Sequence, residues 1–167
     1  MGTILLADAL NDAANVTKTI LSGASILIQG AKFMVTELGG IAIKINNKTG
    51  GASVKGTVVS VSTGTATSFI AQSNEYDSIG VVYEAGIADG SECWVIIAGI
   101  AEVLWKDSTA STMGRVALAD AVDGRASDVA VPSSNPVVAE HFKEIGHVME
   151  TQAGGTNVLV TCILHFN

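Results

Sequence analysis

A chain of 167 residues, 48% hydrophobic and 15% charged, is long enough to bury one core. None of its windows approaches the roughly eighteen uninterrupted apolar residues of a membrane helix, which excludes that class. Sixteen acidic side chains against nine basic ones leave a net charge of −7 with no Lys or Arg cluster, which argues against nucleic acid as a partner. So much apolar surface without a membrane segment predicts a subunit that hides area against copies of itself or a larger assembly. The first cationic side chain is Lys18, so no secretory signal is expected and synthesis in the cytosol follows. In that compartment Cys93 and Cys162, both within apolar strand patterns, are expected to be buried and reduced.

In residues 3–21 the apolar positions Leu6, Ala9, Leu10, Ala13, Val16 and Ile20 recur at three- and four-residue steps. They would line one stripe of a helix, or the segment is an extended arm lying on a partner. Both readings make residues 1–22 an N-terminal arm or helix, and residues 23–167 a single β-rich body. After Gly23 the period changes to two, with strands predicted at 25–29, 32–35 and 41–45 between glycine turns. Residues 46–51 read as a polar loop and 56–64 as a further strand. Residues 62–78, rich in Ser and Thr, read as a surface connection with one apolar piece, Phe69-Ile70-Ala71.

The densest apolar stretch, residues 80–106, is predicted as a central hairpin turning at Asp89-Gly90. Strict alternation would put Cys93, Val95, Ile97, Gly99, Ala101, Val103 and Trp105 on one face of its second strand. Trp94, Ile96, Ala98, Ile100, Glu102, Leu104 and Lys106 would lie on the other, so both faces are apolar until Glu102 and need cover from the same chain or from another copy. Beyond it, 116–119 with Asp123-Gly124 indicate a small hairpin, and 126–138, with Pro132 and Pro136, a loop. One helical turn is expected at 140–144, then a last pair of strands at 145–149 and 157–167. The class expected is all-β, a mainly antiparallel barrel or sandwich with a short N-terminal helix or extended arm.

No pattern of catalytic or ligand residues stands out. His141 and His147 are six apart with Gly146 between them, which breaks the spacing rule for two ligands on one face, and His165 reads as an ordinary strand histidine. Asp120, Asp123 and Asp128 lack the ligand spacing of a calcium loop and read as an acidic turn. Neither a phosphate loop nor a nucleophile elbow occurs. The expectation is a non-enzyme with no cofactor and no metal. Because Trp94 and Trp105 would face opposite ways, one is assigned to the core and the other to a subunit interface, with a carbohydrate platform as the alternative.

Two stretches, GVVYEAGIADGSECWVIIAGIAEVLWKD from Gly80 and EHFKEIGHVMETQAGGTNVLVTCILHFN from Glu140, resemble small β-rich capsid decoration proteins (cement or head-stabilising) of tailed bacteriophages. The resemblance implies a virion component, assembled in the host cytoplasm and often a homotrimer. It would bind the major capsid protein on the outside of the head and stabilise the shell. In that setting Leu5, Leu6, Leu10 and Val16 would line the strap that contacts the capsid. A carbohydrate- or receptor-binding β-module of a phage tail or fibre is the alternative.

Overall fold

A computed structural model describes residues 32–73, 76–130 and 138–166. They form ten strands: β1 (Phe33–Val35), β2 (Ile41–Asn47), β3 (Val58–Val61), β4 (Ser68–Ala71), β5 (Ser78–Val82), β6 (Glu92–Leu104), β7 (Val116–Ala119), β8 (Ala126–Val129), β9 (Glu144–Val148) and β10 (Leu159–Leu164). A single helical turn, α1 (Val138–His141), precedes β9. The all-β expectation holds. The strand predicted at 25–29 and the arm at 1–22 lie outside the described residues.

Strand order is β1-β2-β4-β3-β5-β6-β10-β9-β7-β8, and an additional β2–β6 pairing closes β2, β4, β3, β5 and β6 into a five-stranded barrel. All its pairings are antiparallel except β2 with β4. Phe69 is fully buried in the barrel wall, so the apolar piece predicted in a surface connection is a barrel strand, β4. Its Ser- and Thr-rich flanks hid a strand of only four residues. The thirteen-residue β6 is common to two units. Its first half pairs with β2 and β5 in the barrel, and residues 99–104 pair with β10 in a second sheet of β10, β9, β7 and β8. Residues 126–129, predicted as loop, form β8 and complete the small hairpin with β7.

Directly opposed residues share a face, so a rung of side chains can be followed across strands. Met34, Ala42, Ile96, Val81 and Val58 form one such rung across β1, β2, β6, β5 and β3, and all five are buried. They join Trp94, Ala101, Val103, Trp105, Ile145, Val160 and Cys162 in the larger core cluster. The opposite faces of the same strands supply Val59, Val82, Cys93 and Val95, which with Phe69 form a smaller cluster. The two-sided burial that the apolar run at 80–106 demands is thus met within the chain at Cys93–Ile96 and at Ala101 and Val103–Trp105, while Ile97–Ile100 are half-buried.

Trp94 and Trp105 do not face opposite ways; both lie in the larger cluster. Ala98 stands opposite Ile41 while Ile96 stands opposite Ala42, so Ile97 is one residue too many and the alternation of β6 slips by one. Gly99, at φ +82°, follows the bulge, and a Cβ there would sit 2.6 Å from the carbonyl oxygen of Gly39. Only glycine suits both the dihedral and the space. The central hairpin exists as β5 and β6, but its connection runs over residues 83–91 and Asp89-Gly90 is only its last bend.

Candidate interaction surface

Of the residues singled out from sequence, Leu5, Leu6, Leu10 and Val16 lie outside the described residues. Trp105 is fully buried and Trp94 is 9% exposed, with the Lys44 ammonium 5.4 Å from its ring centre. The chain's own core therefore occupies both indoles. Neither is exposed as a stacking platform, and the interface role assigned to one of them has no exposed ring to rest on. The bulge in β6 is the reason, because without it one of the two would point outward.

Exposed apolar side chains gather instead on β1 and β2. Phe33 is 60% exposed, Val35 49% and Ile41 46%. Val35 stands opposite Ile41, and Phe33 opposite the half-buried Ile43, so these four residues share one face. Ile43 in turn stands opposite Val95, which belongs to the smaller core cluster. The face is therefore a continuation of the barrel's apolar lining that lacks cover among the described residues. β1 is also an edge strand of the order among the described residues. Periodicity could have located this patch, because Phe33, Val35, Ile41 and Ile43 all lie in predicted strands. Alternation alone drew the demand for cover to β6 instead, because that run is longer and richer in apolar residues.

A second concentration of side chains lies on the outer face of β9 and β10. Ala117 stands opposite Gly146 but Leu118 stands opposite Glu144, so Ile145 is bulged out of register. Ile145 is buried, and Glu144 and His147, three apart, come to share the outer face. Ile163, opposite His147, is exposed on that face, and alternation adds His165. The carboxylate of Glu144 then meets all three histidines of the chain. Its Oε2 is 3.5 Å from His141 Nδ1, and its Oε1 is 3.7 Å from His147 Nε2 and 3.4 Å from His165 Nε2. The rule that set the pair His141 and His147 aside assumed unbroken alternation, and Gly146 is where alternation fails. At φ +150°, a Cβ on Gly146 would run into the carbonyl oxygen of Ile163.

Elsewhere the polar groups serve the framework. Asn47, the acceptor of a glycosylation sequon, is fully buried. Its amide donates to the carbonyls of Gly51 at 2.9 Å and Ile87 at 2.8 Å, tying two loops together. Asp120 accepts hydrogen bonds from Ser127 at 2.8 Å, the Val122 amide at 3.0 Å and Lys106 at 3.1 Å. Burial alone would raise its carboxyl, but these bonds outweigh it and hold the group below the ordinary aspartate value. Cys93 and Cys162 are free and buried, as expected. Desolvation raises both thiols, that of Cys162 to about 12. An open cleft of about 610 Å³ between barrel and second sheet is lined by Val54, Lys55, Leu104, Arg125, Asn157 and Leu159 among others. Arg125 is spent on structure there, donating to the Trp105 carbonyl, Asp107 and Asn157.

No protein-family model and no curated protein matches the sequence. Among solved structures, the fold is similar to that of the N base of the head fibre gp8.5 of bacteriophage phi29, with a TM-score of 0.52 at 14% sequence identity. The match covers 74% of this chain and 92% of that one. At that identity, what is shared is the fold.

Proposed function

We propose that this chain is a structural protein of a phage virion that attaches to the outside of the head as a decoration or cement protein. The observation that carries the reading is the fold shared with almost the whole length of a phage head fibre base. Two features of the chain support it. The apolar stripe of residues 3–21, with Leu5, Leu6, Leu10 and Val16, supplies a strap of the length and polarity needed to lie along a protein shell. The face of Phe33, Val35, Ile41 and Ile43, uncovered among the described residues, supplies a self-association surface.

In this reading the β1–β2 face is covered by sister subunits, in a homotrimer, so that several straps emerge together and engage adjacent subunits of the major capsid protein. A contact made only with assembled neighbours binds the shell better than free subunits and stabilises it by that difference. Linked straps add avidity that one lacks. The burial of both tryptophans removes the platform on which a glycan-binding reading relied.

Co-sedimentation with purified heads tests the assignment. The full chain should pellet with heads, a chain lacking residues 2–21 should stay folded and remain in the supernatant, and the chain itself should be present in purified virions. Binding that survives the truncation would reject the strap, and absence from virions would reject the assignment. The Phe33→Ser, Val35→Ser double variant should still fold, since both side chains are exposed on the single chain. Its mass by light scattering should fall to that of one chain; an unchanged oligomer would exclude this face as the self-contact.

A further inference from the structure

We propose that Glu144, His147 and His165 form a binding site for a divalent transition-metal ion of the zinc type, with a fourth position open on the outer face of the second sheet. Donor atoms of the three residues lie within 4.8 Å of one another. A tetrahedral ion with bonds of about 2.0–2.1 Å sets its ligand atoms about 3.3–3.4 Å apart. The Glu144 oxygen already stands 3.4 Å from His165 Nε2 and 3.7 Å from His147 Nε2, so two edges of the tetrahedron are close to formed. The two imidazole rings are 5.1 Å apart between centroids and tilted by 47°, which lets both Nε2 atoms turn toward one point.

The backbone holds these donors in place. Glu144 and His147 are fixed by the bulge of β9, which is paired on both sides, with β7 and β10. His165 is held by its N–H to the Ile145 carbonyl at 3.0 Å. The Glu144 side chain is only 15% exposed, whereas both imidazoles are 46% exposed, so an ion could enter from solvent onto a largely buried carboxylate. Carboxylate–histidine pairs this exposed contribute little to folding, so stability does not account for the convergence of every histidine on one carboxylate. Two imidazoles and a carboxylate suit zinc, copper or nickel and are a poor set for magnesium or calcium, which prefer oxygen alone. His141, on the other oxygen of Glu144, stands beside the site and outside the donor triangle.

Isothermal titration of the untagged full chain, stripped with chelator, tests this with zinc chloride, using magnesium chloride as the control. Saturable one-to-one uptake of zinc and none of magnesium is expected. Glu144→Gln, His147→Gln and His165→Gln should each weaken binding by more than about tenfold, the loss seen when even an outer-shell partner of a ligand is removed. His141→Gln should leave it within about threefold, as expected of a residue outside the ligand set. No saturable zinc uptake, uptake unchanged in His147→Gln, or a loss in His141→Gln as large as in His147→Gln would each overturn the assignment. Cobalt is an independent probe on the unaltered chain: visible bands of a four-coordinate ion without thiolate charge transfer support it. Thiolate charge transfer, which would mean that Cys93 or Cys162 had been recruited, overturns it, as does the absence of four-coordinate bands.

Discussion

The barrel and the second sheet share β6 but close in different ways. The barrel closes through its backbone, because β2 and β6 pair over residues 41–46 and 92–98, and it encloses the small cluster around Phe69 and Val95. The second sheet returns to β6 by one parallel bridge, Trp105 to Ala126, beside which the Lys106 N–H donates to the Ala126 carbonyl. The rest of that closure rests on side chains. Arg125 reaches the Trp105 carbonyl and Asp107, and Asp120 gathers Lys106 and Ser127. The closure of one unit is therefore made by ladder hydrogen bonds and that of the other mostly by side chains, with Trp105 at the junction. A ladder tolerates changes of side chain, whereas a closure made of side chains is exposed to mutation and to pH.

Trp105→Ala should have the largest effect. Emptying a fully buried tryptophan site costs about 3–5 kcal/mol, read from the shift in urea midpoint. Each unit carries one buried thiol, Cys93 in the barrel cluster and Cys162 on β10, so labelling in native buffer reports which unit opens. In the Trp105→Ala variant Cys162 should become reactive faster than Cys93. Equal acceleration would mean that the two units open as one and that the contrast in closure has no energetic meaning.

Gly99→Ala should come next, at about 3 kcal/mol, from the positive φ and the close approach of the Gly39 carbonyl together. Since Gly99 is where β6 passes from one unit to the other, both thiols should gain reactivity in similar proportion. Selective exposure of one of them would show that the bulge serves that unit alone.

Asp120→Asn should be smallest, about 1–2 kcal/mol at neutral pH, because the residue keeps its shape and loses its charge-assisted hydrogen bonds. The folded carboxyl titrates below the unfolded one, so its contribution is fully present above the ordinary aspartate value of about 3.9. It is lost as the pH falls from there through the lower folded value. The difference in urea midpoint between wild type and Asp120→Asn should therefore narrow below about pH 3.9. A difference that stays constant into acid would mean that Asp120 acts through packing and not through charge.

The sequence by itself determined the class, most of the strands and the need to cover both faces of the run at 80–106. Period-two alternation and glycine turns are local properties, and a strand apolar on both sides must be buried on both sides wherever it sits. It also determined that Cys93 and Cys162 are inside, since both fall among apolar strand residues. Tertiary structure alone decided the phase of the two strands on which the site residues lie. One extra residue at Ile97 put Trp94 and Trp105 into the same core, and one at Ile145 turned Glu144 toward His147. A bulge is defined by the partner strand, which is distant in sequence, so counting along one strand cannot detect it. For the same reason the surface left uncovered among the described residues lies on β1 and β2, because which strands are covered depends on how the barrel closes.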